Sequence, residues 1–183
     1  MANGLFADEQ GTLFLKVKTR GLNHPSKIGA WQDSIFLSQV FDVADSSLHS
    51  LARIIDTSTF AKENPDGTYF SDSERIYVYS MKPHPVQFFA LARRNATFLG
   101  ADKEYLVHQG VLYYHGIKVE GLNNGNLSIL RFRRTDTTGF HEFITDQKRI
   151  LSGDYIMDKE RLKYVGDISE ADRLKIAKHF HLQ

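Results

Sequence analysis

Short runs of strand-forming residues, each closed by a turn sequence, constrain this fold more than any other feature of the chain. Leu13–Lys18 alternates apolar and basic residues, which is typical of a strand with one buried face. Arg75–Tyr79 combines β-branched and aromatic side chains, and strands are enriched in both types. Asn64–Gly67 reads Asn-Pro-Asp-Gly, which favours a tight turn. Aromatic residues make up 12% of the chain, so a β-rich core is expected.

Two more strands are predicted around the turn sequence Asn-Asn-Gly-Asn at Asn123–Asn126. Ile117–Glu120 precedes this turn and Leu127–Arg133 follows it, which predicts a β-hairpin. The β-branched run Arg53–Thr59 predicts a further strand that leads into a turn rich in hydroxyl groups.

Helices are expected where apolar residues recur at helical spacing. Ser169 is the predicted N-cap of a helix that ends near His179, with acidic residues in its first turn. Five other segments have a composition or spacing compatible with helices: Ser26–Trp31, Asp33–Ala44, Ser46–Leu51, Val86–Arg94 and Gly139–Leu151. The pattern predicts an α+β fold in a single domain over residues 1–183, with a core over about 13–135 and a helical extension over 136–183.

Composition excludes several classes of protein. The 183 residues are 42% hydrophobic, which is enough for a packed core, and the net charge of +1 argues against a protein that coats polyanions. Cysteine is absent, so neither disulfides nor thiolate metal sites are available. No apolar run reaches the roughly 20 residues that a membrane-spanning helix needs. Met1–Thr12 lacks the layout of a signal peptide, so we expect a soluble protein whose location, including secretion or injection into a target cell, stays open.

Metal, nucleophile and nucleic-acid sites have little support in the sequence. The eight histidines are scattered, and His179 and His181 have no carboxylate at ligand spacing, so no metal site is expected. No serine lies in a glycine-flanked nucleophile elbow, and Ser152-Gly153-Asp154 is interpreted as a loop. The alternating basic residues Arg131, Arg133 and Arg134 fit a solvated strand face, with nucleic-acid binding as the alternative.

The acid pair Asp102 and Glu104 is the strongest candidate for chemistry. On a strand, positions i and i+2 lie on one face, so both carboxylates are predicted to enter the same space. The alternative interpretation is a solvated strand face, because charged residues are mostly exposed.

Two other groups complete a constellation suited to splitting a nicotinamide–ribose bond. Arg20 ends the first predicted strand, and a guanidinium binds pyrophosphate bidentately. The hydroxyl groups of Asp56–Thr59 can orient an acid or a ribose. A carboxylate such as Glu104 stabilises the positive charge that develops on the ribose, and Asp102 is placed to deprotonate an acceptor.

The order of these motifs resembles the mono-ADP-ribosyltransferase toxins of the cholera and pertussis type. In that family one strand carries an arginine, a second ends in Ser-Thr-Ser, and a third begins Glu-x-Glu or Gln-x-Glu. Here Asp102 stands in place of the first acid or amide. The Ser-Thr-Ser element corresponds to Asp56-Thr57-Ser58 or, shifted by one, to Thr57-Ser58-Thr59. The resemblance covers about Leu13 to Val119, and the last sixty or so residues match nothing in the family.

The resemblance implies a split β-sandwich of two small sheets with flanking helices and NAD as the substrate in the cleft. Arg20 would hold the pyrophosphate, and Thr57 and Ser58, with Asp56 in one of the two registers, would line the NAD site. Glu104 would be the catalytic acid, Asp102 would engage the acceptor, and Tyr113 or Tyr114 would contact it.

The implied activity is that of a toxin or effector that transfers ADP-ribose to a protein or nucleic-acid acceptor, without a metal. A partner such as an immunity protein is expected for a toxin of this kind. The alternative is a non-catalytic β-rich binding module of a phage or secretion system.

Overall fold

Strands make up most of the regular structure. The computed structural model describes residues 3–20, 31–80 and 87–182, and within these ranges there are seventeen strands and three α-helices. The strands form four small sheets, so the fold is mostly β. The chain divides into two compact units, residues 1–96 with 115–117 and residues 97–114 with 118–183. The predicted boundary near residue 136 lies inside the second unit.

The first unit begins with a three-stranded antiparallel sheet. Its strands are β1 (Leu5–Ala7), β2 (Leu13–Arg20) and β3 (Trp31–Leu37), in that order. Leu15 and Val17 are buried while Lys16 is exposed, because the apolar positions of β2 alternate with the basic ones. The strand predicted over Leu13–Lys18 is therefore confirmed.

A six-stranded sheet completes the first unit. Its order is β5-β4-β9-β8-β7-β6, and all described neighbours are antiparallel except β4 and β9. The elements are β4 (Gln39–Asp42), β5 (Ser47–Ser50), α1 (Leu51–Ile54), β6 (Ala61–Lys62), β7 (Tyr69–Ser71), β8 (Arg75–Ser80) and β9 (Gln87–Ala92). Every residue from Ile76 to Ser80 is buried, since β8 lies in the interior of the sheet. The predicted strand Arg75–Tyr79 is confirmed.

Several helix predictions in the first unit are wrong. Asp33–Ala44 forms parts of β3 and β4, Ser46–Leu51 is mostly β5, and the described part of Val86–Arg94 contains β9. Backbone pairing with neighbouring strands holds these segments extended, and this overrides a composition that a helix also tolerates. Arg53–Thr59, predicted as a strand, is instead the end of α1 followed by turns. Residues 26–30 of the predicted helix Ser26–Trp31 lie outside the described residues.

Most of the second unit consists of two four-stranded sheets and two helices. The first sheet contains β10 (Ala96–Leu99), β11 (Tyr105–His108), β12 (Val111–Tyr114) and β13 (Ile117–Val119) in chain order. The second contains β14 (Ser128–Arg133), β15 (Phe140–Thr145), β16 (Ile150–Ser152) and β17 (Tyr155–Ile156), also in chain order. The helices α2 (Lys159–Lys163) and α3 (Glu170–His179) follow, so the helical part begins at Lys159.

In the second unit one helix prediction and the hairpin prediction are wrong, whereas the strands predicted over Ile117–Glu120 and Leu127–Arg133 are confirmed as β13 and β14. Gly139–Leu151, predicted as a helix, forms β15 and the start of β16, which pair antiparallel through Ile144 and Leu151. The hairpin predicted around Asn123–Asn126 does not form, because β13 belongs to the β12 sheet and β14 pairs with β15. The helix predicted after Ser169 is confirmed, and the Ser169 hydroxyl accepts a hydrogen bond from the Asp172 N–H at 3.1 Å.

Each unit contains a hairpin loop of the same kind, in which one aspartate carboxylate accepts several backbone hydrogen bonds. In the first, one carboxylate oxygen of Asp72 accepts the N–H groups of Glu74 (2.9 Å) and Arg75 (2.7 Å). In the second, Asp146 does the same with the N–H groups two and three residues later, at 3.0 and 2.7 Å. The other oxygen of each aspartate accepts the N–H of a distant segment, at Asp56 and at Asn123 respectively. Each sequence reads Asp-x-x-Arg-Ile, so the same local pattern gives the same loop twice.

Within the described ranges, no helix combines the length and the apolar character that crossing a membrane requires.

Candidate functional site

A polar pocket of about 280 Å³ lies within the second unit. In the first sheet, the loop between β10 and β11 contributes Asp102 and Glu104, the start of β11 contributes Tyr105, and the end of β12 contributes Tyr114. The second sheet and its loops contribute the remaining polar groups, which are Arg134, His141, Glu142, Ser152 and Gly153. The pocket therefore gathers carboxylates, an imidazole, a hydroxyl and a guanidinium, the side chains on which acid–base and nucleophilic chemistry depend.

Asp102 and Glu104 reach this pocket by a route that differs from the predicted one. Strand β11 begins only at Tyr105, and Lys103 between the two acids has a φ of 52°. The Lys103 N–H closes a turn on the Gly100 carbonyl at 3.2 Å. The premise that both acids lie on one strand face is therefore wrong, although the turn still directs both to the same pocket. Asp102 is exposed and Glu104 is half-buried.

Tyrosines form one wall of the pocket. The Tyr105 hydroxyl accepts the Gly153 N–H at 2.8 Å, and its ring lies 4.9 Å from that of Tyr114, centroid to centroid. Burial raises the pKa of Tyr105, so this phenol remains protonated. Tyr114 lines the pocket, whereas Tyr113 is outside it, because neighbouring residues of a strand face opposite sides. Of the two tyrosines predicted to contact an acceptor, Tyr114 is the one at the pocket.

A serine, a histidine and an aspartate form a hydrogen-bonded chain at the same pocket. His141 lies on β15, and its Nδ1 is 3.0 Å from Asp167. Its Nε2 is 3.4 Å from the hydroxyl oxygen of Ser152, which ends β16. Arg134 approaches Asp167 from the other side, with its Nε 3.1 Å from the carboxylate. Asp167 therefore bonds both the imidazole and the guanidinium.

Ion pairs fix the remaining charged groups near the pocket. One oxygen of Glu142 accepts the Ala101 N–H at 2.8 Å, and the other lies 2.7 Å from Arg131 Nε. Arg134 is bonded to Asp136 as well as to Asp167, and the Asp136 interaction raises the pKa of this guanidinium. Two of the three arginines of the predicted basic cluster are thus paired with acids, which weakens the nucleic-acid interpretation.

The other predicted site residues belong to the first unit. Arg20 is the last residue of β2 and pairs with Trp31, while its side chain lies outside what the structure describes. One oxygen of Asp56 accepts both the N–H (3.0 Å) and the hydroxyl (2.6 Å) of Ser58, and the other accepts the Thr59 hydroxyl at 2.7 Å. These bonds, that of the Ser58 hydroxyl first, lower the pKa of Asp56 to about 2. Thr57 is exposed in the same turn. The hydroxyl-rich turn therefore stabilises itself through Asp56.

Sequence reasoning found one wall of the pocket and missed the other. Asp102, Glu104 and Tyr114 were predicted as site residues and line it together. His141, Ser152 and Asp167 were missed, because they come from β15, β16 and the loop before α3, up to 26 positions apart. The Ser152-Gly153 dipeptide was the one local signal, and by itself it indicates only a turn.

The described residues also include a group of possible metal ligands and an apolar cavity, both separate from the polar pocket. Asp42, Asp45 and His49 in the first unit each offer one ligand atom, all within 4.8 Å of one another. Asp42 is already paired with Arg75 at 3.2 Å, and Asp45 holds His49 at 2.6 Å. In the second unit, an apolar cavity of about 650 Å³ lies between β14 and α3, where Phe132, Ile176 and Phe180 are among its lining residues. Neither feature adds an acid–base group to the polar pocket.

Comparisons of this chain with protein-family models, with curated proteins and with solved structures found no match.

Proposed function

We propose that the chain is a mono-ADP-ribosyltransferase that cleaves NAD at the nicotinamide–ribose bond. Cleavage would take place in the polar pocket that Glu104 lines. One observation carries the proposal: Glu104, the predicted catalytic acid, lines a single pocket with Asp102 and Tyr114, which were predicted to meet the acceptor. These three residues supply two carboxylates and a phenol to one place, and this convergence supports the proposal.

Glu104 has the surroundings that stabilisation of a ribosyl cation requires. It is half-buried beside the buried Tyr105, and both residues line the same pocket. A carboxylate in a site that partly excludes water interacts more strongly with developing positive charge than one in bulk solvent. Asp102 is exposed and would engage the incoming acceptor group.

The size of the pocket bears on how NAD would lie. Pockets for drug-sized ligands measure roughly 300–1,000 Å³, and this one is about 280 Å³. It therefore suits the ribose and nicotinamide end of the dinucleotide, with the pyrophosphate outside. The roles that the family resemblance implies for Arg20, Asp56, Thr57 and Ser58 stay predictions, because these residues belong to the first unit and the pocket to the second. The acceptor is a protein or a nucleic acid, and the biological role is that of a toxin or effector.

The test is release of nicotinamide from NAD by the purified protein, followed by mass spectrometry. Glu104→Gln is expected to lower the rate by about 10²-fold or more with little change in NAD affinity, because the lost charge acts mainly in the transition state. Glu120→Gln, at an exposed carboxylate outside the pocket, is the matched control and should keep the wild-type rate.

Two results would contradict the proposal. Equal turnover by wild type and Glu104→Gln would remove Glu104 from the mechanism. No nicotinamide release by the wild-type protein would instead favour the non-catalytic binding module, for which the apolar cavity between β14 and α3 is the candidate contact surface.

A further inference from the structure

The hydrogen-bonded chain Ser152–His141–Asp167 has a use that does not depend on NAD. Its links are 3.4 Å from the Ser152 hydroxyl oxygen to His141 Nε2 and 3.0 Å from His141 Nδ1 to Asp167. The first link is at the long end for a hydrogen bond, as nucleophile–base contacts often are without substrate. The serine and the aspartate bond opposite nitrogens of the ring, which is the arrangement that activates a serine.

The aspartate fixes the proton position on the imidazole. A carboxylate only accepts hydrogen bonds, so Nδ1 carries the proton that it donates to Asp167. In the neutral ring Nε2 is then the acceptor, and the Ser152 hydroxyl donates to it. Arg134 bonds the same carboxylate at 3.1 Å and holds it in place. The loop is held as well, because the Asp167 carbonyl accepts the Thr135 N–H at 2.8 Å.

Ser152 and His141 are accessible from the pocket, whereas Asp167 does not line it. Ser152 and His141 line the polar pocket, and the His141 side chain is 21% exposed. Asp167 is not among the lining residues, and its side chain is 16% exposed. A substrate in the pocket would therefore meet Ser152 and His141 directly.

We propose that Ser152 is the nucleophile of an acyl-transfer site that hydrolyses small carboxylic esters. The Ser152 oxygen attacks the ester carbonyl carbon while its proton passes to His141 Nε2. The carbon–oxygen bond to the alcohol then breaks, and the departing alkoxide takes that proton from His141. Water attacks the acyl-serine with His141 again accepting a proton, which returns to the Ser152 oxygen as the carboxylic acid leaves. The sum is ester plus water giving acid plus alcohol.

The Tyr114 side chain lies close to the nucleophile and is the candidate contact for the carbonyl oxygen. Gly153 has a φ of +62°, and a Cβ at that position would lie 3.6 Å from the Tyr114 hydroxyl. The Tyr114 hydroxyl is thus beside the Ser152–Gly153 peptide, and in this proposal it donates to the oxyanion. The Gly153 N–H does not take this role, because it donates to Tyr105 at 2.8 Å.

Charge and volume define the substrate class. Three carboxylates, Asp102, Glu104 and Glu142, line the pocket beside the single guanidinium of Arg134, which is itself paired with acids. Anionic esters are therefore disfavoured, and neutral or cationic ones are favoured. A volume of about 280 Å³ restricts both the acyl group and the alcohol to short chains.

The test uses the full chain with two probes, a fluorophosphonate and p-nitrophenyl acetate. Wild type should gain one phosphonyl group, mapped by peptide mass spectrometry to Ser152, and should release p-nitrophenol. Ser152→Ala should lose the label, and both Ser152→Ala and His141→Gln should hydrolyse the ester at least about 10²-fold more slowly. Ser47→Ala, which removes a serine bonded to a histidine in the first unit, is the matched control and should react as wild type does.

Folding of each variant is checked by circular dichroism and thermal unfolding. Ser152→Cys keeps a nucleophile of similar size and should still form an acyl-enzyme, which separates loss of the reacting atom from loss of structure. The proposal is overturned if folded wild type takes no label, if the label maps to another residue, or if Ser152→Ala hydrolyses the ester as fast as wild type.

Discussion

Each unit of the molecule contains a cluster of one serine, one histidine and one aspartate, and the two clusters differ in which ring nitrogens they use. In the first unit, His49 Nε2 contacts both Ser47 (2.8 Å) and Asp45 (2.6 Å). The Ser47 hydroxyl also donates to Asp45 at 2.6 Å. In the second unit, Asp167 and Ser152 bond opposite nitrogens of His141.

Proximity of a serine, a histidine and an aspartate is therefore not enough to make a catalytic array. In the first cluster Asp45 and Ser47 compete for the same nitrogen, Nε2 of His49. A catalytic serine needs one ring nitrogen to accept its proton and a carboxylate on the other nitrogen to orient the ring. The first cluster does not have this arrangement. The bonds to Ser47 and His49, the former first, lower the pKa of Asp45, and this is the behaviour of an acid that stabilises a turn. The first cluster closes the β4–β5 hairpin, and the second is organised for acyl transfer.

The largest change in ester hydrolysis is expected at Asp167, and the same substitution at Asp45 tests whether the two clusters differ. Asp167→Asn replaces an obligate acceptor by a group that can donate to His141 Nδ1, which would place the ring proton on Nε2, facing Ser152. We expect ester hydrolysis to fall by about 10²-fold or more, because the imidazole can no longer accept the serine proton. The same substitution at Asp45 should leave the rate within twofold of wild type. Steady-state hydrolysis of p-nitrophenyl acetate measures both.

A fall of equal size in both variants would show that the two clusters do not differ as the geometry indicates. An unchanged rate in Asp167→Asn would show that this carboxylate has no orienting role.

The Asp-x-x-Arg-Ile loops, one in each unit, are expected to contribute to the free energy of unfolding through their aspartates. Burial opposes the charge on Asp146, but hydrogen bonds from the N–H groups of Asn123, Arg149 and Lys148 outweigh it and lower the pKa to about 2, from the ordinary 3.8. Because the folded pKa is the lower one, the stabilisation is complete above about pH 4 and is lost as the pH falls towards 2. A difference of this size corresponds to about 2 kcal/mol.

The measurement is urea unfolding of wild type and Asp146→Asn between pH 6 and pH 2. The free energy of unfolding of wild type should fall with pH by about 2 kcal/mol more than that of the variant. At neutral pH, Asp146→Asn and the matched Asp72→Asn should each cost about 1–3 kcal/mol, because each removes a carboxylate oxygen that accepts a partly buried backbone hydrogen bond. Parallel pH curves for wild type and Asp146→Asn would contradict the assigned role of this carboxylate.

Local signals predicted the elements that local forces decide. Leu13–Lys18 was predicted as a strand because its apolar and basic residues alternate, as in a sheet with one solvent-exposed face. Ser169 was predicted as a helix N-cap, and its hydroxyl accepts the N–H of the residue three positions later. Gln87–Ala92 and Phe140–Thr145 were misassigned, since pairing with β8 and β14 decides their structure and no local residue reports it.

The candidate site divides in the same way. Asp102, Glu104 and Tyr114 lie within thirteen positions, so a motif was enough to group them. The Asp167–His141–Ser152 chain depends on the register of β15 against β16 and on the loop before α3, and these arise only from the tertiary fold. The turn at Lys103 was missed because its positive φ belongs to a residue other than glycine.

The smallest expected effect compares two helix starts, one in each unit. Ser169 begins α3 with its hydroxyl bonded to the Asp172 N–H, whereas Ser50 begins α1 without a side-chain capping bond. Ser169→Ala should therefore lower the free energy of unfolding by about 1 kcal/mol, and Ser50→Ala by only a few tenths, roughly. Chemical denaturation at neutral pH measures both. Equal costs would mean that intrinsic N-cap preference, which both serines share, matters more here than the hydrogen bond that only Ser169 makes.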